Sequence, residues 1–194
     1  MRLPLLIIGG WLCSGFVAGG PTIVDILYDS RYVDAGWMLQ FLAIGTWFGT
    51  VLSGTNSAGV LAVGQSKWTF ATALAKVLAL VVLVVPFYHA WGFRGAIVAI
   101  SIGEVIRYLV STIAAVRFGM DGRLQDMKLS MLVVASSFVG WFLVAVLPAS
   151  IGHGVLGGIV RVLVVFVSVT ALWVPYLWPL VKRVRSGESL FQVD

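Results

Sequence analysis

Charge is what this sequence lacks most. Of 194 residues, 13 are Lys or Arg and 8 are Asp or Glu, so 11% of the chain is charged, against roughly a quarter in a soluble globular domain. With 60% hydrophobic residues and a mean hydropathy of +1.02, too few charged side chains remain to cover a water-facing surface, which excludes a soluble fold. Cysteine is nearly absent. The single Cys13 lies in an apolar run and can form no intrachain disulfide, so its expected role is that of a small buried hydrophobe. Histidine is scarce as well: His89 and His153 are far apart and fall at span ends. The chain therefore has no Cys/His cluster at metal-ligand spacing, no Gly-rich phosphate loop and no Ser/His/Asp arrangement. No catalytic residue, cofactor or metal site is expected, and the protein is not expected to be an enzyme.

What is present is a succession of uncharged runs, covering residues 3–24, 35–66, 77–93, 129–160 and 162–181 among others. The net charge of +5 is carried between these runs. That is how a membrane chain distributes Lys and Arg, not how a DNA-binding face does, so no nucleic-acid partner is expected. A membrane-crossing helix needs about 20 mostly apolar residues. Six spans are predicted, at about 3–18, 36–63, 68–91, 95–116, 129–147 and 155–181. The first is short, stopping at Gly19-Gly20-Pro21, and is retained rather than cleaved as a signal peptide. The second is the longest and is expected to tilt or bend. Ten-residue alternation of a β-barrel is absent. The fold class is all-α: a polytopic membrane helical bundle of about six transmembrane helices over residues 1–181, followed by a short cytoplasmic tail at 182–194.

Between the first two spans, Ile23, Ile26 and Leu27 fit one helical face, which predicts a short amphipathic helix near 21–35 at the membrane interface. Alternating the spans places Arg2, Lys67, Arg117, Arg123, Lys128, Lys182, Arg183 and Arg185 on one side of the bilayer and only Arg31 and Arg94 on the other. The positive-inside rule then puts both termini in the cytoplasm. Trp37, Trp68, Tyr88, Trp91, Tyr176 and Trp178 fall near span ends and suit interfacial belts.

Small residues recur at four-residue spacing as Gly15/Gly19, Gly45/Gly49/Ser53 and Gly95/Ala99/Gly103. Such ladders let helix backbones approach closely in lipid; bundle packing or a sliding seam between helices would both use them. Gln40, Thr55 and Asn56 in the second span are candidates for bonds to neighbouring helices or for a polar path.

Three charged residues fall inside predicted spans: Lys76 in the third, and Glu104 and Arg107 in the fourth, where the i, i+3 spacing puts both on one helix face. Each costs about 2.5–3.5 kcal/mol on insertion scales and therefore faces a partner or a wet cavity. From a hairpin turn near Gly92, at 1.5 Å per residue, Lys76 lies roughly 24 Å away, Glu104 roughly 18 Å and Arg107 roughly 22 Å. Antiparallel packing brings them to similar depth as two cations and one anion. Two readings are open: a structural Glu104–Arg107 pair with Lys76 snorkelling to the membrane edge, or a cationic cavity lining that meets an anionic substrate. Arg161 in the sixth span can snorkel outward and weighs less.

The segment Ile26-Leu27-Tyr28-Asp29-Ser30-Arg31-Tyr32-Val33-Asp34-Ala35-Gly36, running into a long span, resembles the L-Y-G-x-x-Y-x-x-A segment of polysaccharide flippases. These belong to the multidrug/oligosaccharidyl-lipid/polysaccharide exporter superfamily. Ala62-Val63-Gly64-Gln65-Ser66-Lys67 resembles the family's cytoplasmic A-x-G-[KQ] turn, and Gly92-Phe93-Arg94-Gly95-Ala96 its G-x-x-G-A start of the following helix. The similarity covers roughly residues 20–117, with Asp29 where the family usually has Gly; Asp tolerates a left-handed turn better than most residues. The resemblance implies one six-span lobe of a two-lobe flippase, half a transporter whose partner is the missing N-terminal lobe. It also implies a bacterial cytoplasmic (inner) membrane location and, as substrate, an oligosaccharide linked to undecaprenyl pyrophosphate for surface polysaccharide or lipopolysaccharide biosynthesis, with Lys76 and Arg107 attracting the pyrophosphate. The alternatives are another exporter of the superfamily, for drugs or peptidoglycan precursors, and a non-transporting membrane fragment or interaction protein.

Overall fold

The computed structural model describes residues 2–28, 32–146 and 155–185. Asp29, Ser30 and Arg31 of the flippase-like segment, His153, and the tail from Ser186 onward lie outside the described residues. Among the described residues the protein is helical throughout, with no strand: α1 (Arg2–Leu27), α2 (Val33–Thr46), a π-helical turn (Trp47–Leu52), α3 (Ser53–Ala62), α4 (Ser66–Trp91), α5 (Phe93–Arg117), α6 (Arg123–Val146) and α7 (Val155–Arg185). The π turn joins α2 and α3 into one span, so the helices make six spans long and apolar enough to cross a membrane, in the expected places. The protein is an all-α multi-pass membrane bundle.

The distribution of side chains agrees. Large apolar residues face outward, among them Phe70, Val81, Val82, Val134 and Phe138, all more than 60% exposed. The interior is rich in small and hydroxylated residues, including Ser14, Ser53, Ala99, Ser101, Ser111 and Ser136. In lipid there is no hydrophobic force between helices, so close backbone approach and interhelical hydrogen bonds hold a bundle together.

The chain divides into two compact units. In the first, residues 1–40 and 129–194, α1 packs against α7. Trp11 Nε1 donates to Thr170 Oγ1 at 3.0 Å, and Gly15 faces the Phe166 ring. α6 joins them through Gly140, which faces Ala18 and Val169, and through buried Trp173, whose Nε1 donates to Ser136 Oγ at 3.1 Å. In the second unit, residues 41–128, α4 and α5 form an antiparallel hairpin backed by α3 and the π turn. The hairpin turns at Gly92, whose φ of 60° is a left-handed conformation that favours glycine.

Two expected boundaries are corrected. The first span does not stop at Gly19-Gly20-Pro21, and residues 21–27 are not a separate interfacial helix, because α1 runs unbroken through Pro21 to Leu27. Proline normally breaks a helix by leaving the carbonyl four residues back without its donor. Here that carbonyl belongs to Val17, and Gln40 Nε2 donates to it at 2.7 Å. In membranes a neighbouring helix commonly satisfies backbone that proline frees. The approach that permits it is close: a Cβ on Gly36 would sit 2.7 Å from Pro21 Cα. The second correction is at the other end. α7 continues through Lys182 and Arg183 to Arg185, where three cations suit the negative end of the helix dipole.

Candidate functional site

The charged cluster is built within the second unit, on the α4–α5 hairpin and the π turn. Lys76, on α4, donates from Nζ to Glu104 Oε1 at 2.5 Å. Arg107, one turn further along α5 than Glu104, holds its Nη1 3.8 Å from Glu104 Oε2, within ion-pair range but beyond a hydrogen bond. The three residues matched in depth along the sequence thus meet in the fold. The alternative with Lys76 snorkelling away from a Glu104–Arg107 pair is not the arrangement found, since Lys76 makes the tighter contact and Arg107 the looser one. Glu104 is the most enclosed, with 14% of its side chain exposed against 28% for Lys76 and 30% for Arg107.

The pocket for Glu104 is made of missing side chains. Its Cγ lies 3.6 Å from where a Cβ on Gly45 would be, and any Cβ on Gly49 would overlap its carboxylate. Lys76 packs beside Gly103, its Cγ 3.8 Å from the position of a Cβ there, an ordinary contact that an added methyl would tolerate. The Gly45/Gly49 ladder therefore does more than bring helices together, since the missing side chain of Gly49 seats the acid. Sequence spacing alone shows the ladder and not its occupant.

Sequence reasoning misses the π turn. It places Gly49 against Glu104 and Phe48 against Tyr108, with ring centroids 5.7 Å apart. Such single-turn π segments cluster at functional sites. Asp126 is missed likewise, yet it is 1% exposed and accepts a hydrogen bond from Tyr108 Oη at 3.2 Å. The polar residues of the second span divide. Asn56 Nδ2 donates to Thr112 Oγ1 on α5 at 3.2 Å and Gln40 reaches α1, while Thr55 Oγ1 donates at 2.9 Å to Leu52 O, the last residue of the π turn in the same span. Arg161 is half-buried in α7, and its Nε has no hydrogen-bond partner among the described residues.

Chemically, the cluster is one carboxylate shared by two cations, with a formal excess of one positive charge. Glu104 Oε2 and Arg107 Nε are both buried and make no hydrogen bond among the described residues. Buried polar atoms left so are uncommon and costly. The arrangement can accept a further anion at Arg107 without first breaking the Lys76–Glu104 bond. No group of three or more His, Cys, Asp or Glu residues able to hold a metal occurs among the described residues.

Fold and cluster together define a multi-pass α-helical membrane protein with an intramembrane charge triad. No known family model, curated protein or solved structure matches the chain.

Proposed function

We propose that this chain forms a six-helix lobe of a flippase that moves lipid-linked oligosaccharide across a bacterial cytoplasmic membrane, with both termini in the cytoplasm. In this reading Lys76 and Arg107 meet the pyrophosphate of an undecaprenyl pyrophosphate carrier, and a second lobe completes the cavity. The observation that carries it is the triad itself: two cations on one acid, within membrane-spanning helices, with Arg107 held only loosely. An intramembrane ionisable residue is expensive and by default marks a substrate or ion path. A guanidinium with free donors matches phosphate oxygens in a fork geometry. The flippase-like segments around Tyr28, Gly64 and Gly95 support the same reading.

Binding of undecaprenyl pyrophosphate and of undecaprenol to the purified protein in nanodiscs tests it. The pyrophosphate form is expected to bind at least about ten-fold tighter, the worth of one charge-assisted hydrogen bond, and Arg107→Gln should remove most of that preference. Equal affinity for the two lipids would overturn the proposal.

A further inference from the structure

A second cationic site lies at the end of the second unit opposite the Gly92 turn. There the end of α3, the start of α4 and the end of α5 converge on a pocket of about 470 Å³ lined by Gln65, Lys67, Trp68, Ala71, Arg117 and Phe118. Its floor is rigid. Trp68 and Phe118 pack on a core of Val60, Ala114 and Ala115, and their rings meet edge-on at 6.5 Å. The backbone is tied beneath them, with Gln65 N–H donating to Val60 O and Met120 N–H to Ala115 O. The Arg117 guanidinium lies over the Trp68 ring at 5.7 Å, a cation–π contact that orients it without neutralising it.

The charge balance distinguishes this pocket from its neighbour on the α5–α6 turn. There Arg123 is neutralised by Asp121, Nη2 to Oδ2 at 2.8 Å. Lys67 and Arg117 have no carboxylate partner among the described residues, and none lines their pocket. Two unneutralised cations, an amide and an aromatic plane at the end of membrane-spanning helices form a receptor for a phosphate group. What lies below the pocket says which kind. Lys67, Ala71, Leu74 and Leu78 follow one face of α4 at three- and four-residue spacing. Leu74 and Leu78 are 43% and 55% exposed, so an apolar track descends from the cationic pocket along the helix.

We propose that the Lys67–Trp68–Arg117 pocket binds the phosphate headgroup of an anionic membrane lipid whose acyl chain lies along Leu74 and Leu78 of α4. The site is separate from the Lys76–Glu104–Arg107 triad and does not depend on the flippase reading. Basic side chains at a membrane surface attract anionic lipid in this way, and salt screens the attraction.

Lipid retention by the purified full chain in zwitterionic detergent, followed by native mass spectrometry during titration with phosphatidylglycerol, tests the site. Lys67→Gln and Arg117→Gln should each lower phosphatidylglycerol affinity about five-fold, the effect of one near-surface cation, and the double variant should lower it further than either alone. Both side chains are exposed, so neither change burdens folding, and Arg117→Lys, which keeps the charge but gives up the guanidinium stacked on Trp68, should lose less affinity than Arg117→Gln. Lys128→Gln, outside the pocket, should leave affinity unchanged. Equal loss with Lys128→Gln would reduce the effect to general surface charge and overturn the proposal. So would unchanged affinity in the double variant, or phosphatidylcholine binding as tightly as phosphatidylglycerol. Displacement of the lipid by inorganic phosphate at comparable concentration would assign the pocket to a soluble anion and overturn the lipid assignment.

Discussion

Replacing Gly95 with Ala should pry the α4–α5 hairpin apart. A Cβ at position 95 would overlap the Phe87 carbonyl oxygen, and it would lie 2.5 Å from that carbonyl carbon and 3.3 Å from Phe87 Cα. All three atoms are backbone, so no rotamer change relieves the overlap. Clearing the carbonyl oxygen, the tightest of the three contacts, requires the helices to move apart by more than about 1 Å, a gap that forfeits about half or more of each dispersion contact along the seam. Overpacking typically costs about 1–3 kcal/mol, and a clash with backbone belongs at the upper end. The gain in helix propensity from Gly to Ala returns at most about 1 kcal/mol. The expected net loss is about 2 kcal/mol. Gly103→Ala in the same ladder is the control, because its Cβ would meet only the Leu80 side chain, at 3.3 and 3.5 Å, and Lys76 Cγ at 3.8 Å. Leu80 can turn aside, so Gly103→Ala should be neutral or slightly stabilising. Equilibrium unfolding by steric trapping in mixed micelles measures both. Equal destabilisation by the two variants would refute the close backbone approach at Gly95.

Gln40→Leu should cost about 1 kcal/mol in the same assay by stranding the Val17 carbonyl. In a Pro21→Ala background the cost should nearly vanish, because the backbone N–H restored by that substitution then takes the carbonyl within α1; simple additivity would argue against the compensation. On the α5–α6 turn, hydrogen bonds from the Arg123 side chain and then its backbone N–H hold the Asp121 carboxyl down from 3.8 to about 2. A folded value below the unfolded one means that the turn's stabilisation is fully present above the ordinary carboxylate range and is lost as pH falls through about 2. Carbon-13 titration of Asp121 in labelled protein should show a midpoint well below 3.8, and a midpoint at or above that value would contradict the pairing.

The sixfold recurrence of apolar runs made the bundle legible in the sequence, since spans this apolar have no soluble alternative. The triad was legible too, because charged residues are so few that Lys76, Glu104 and Arg107 stand out, and because antiparallel spans equate depths counted from one turn. What was illegible depends on contacts distant in sequence. Pro21 reads as a helix stop until Gln40, 23 residues beyond Val17, supplies the missing donor. Gly45 and Gly49 read as a packing stripe until the Glu104 carboxylate fills the space left at Gly49. The π turn at Trp47–Leu52 leaves no mark in residue type, since it answers to what packs on it. Lys67 and Arg117 read as topology signals because they lie 50 residues apart in the chain; only the fold brings them to one pocket.

The proposed flippase role requires the triad's excess positive charge to serve an anionic substrate and not only a structural pair. Surface polysaccharide export and membrane abundance decide this when measured together, with the second lobe present, in cells carrying Lys76→Gln, Glu104→Gln, Arg107→Gln or Glu104→Gln with Arg107→Gln. If the triad is a substrate site, Arg107→Gln should keep near-normal abundance yet lose most export, and Lys76→Gln should also lower export. A purely structural triad predicts that Glu104→Gln and Arg107→Gln each lower abundance, because breaking a buried pair strands its partner, and that the double variant recovers it. Normal export by both Lys76→Gln and Arg107→Gln would rule out a substrate site at the triad.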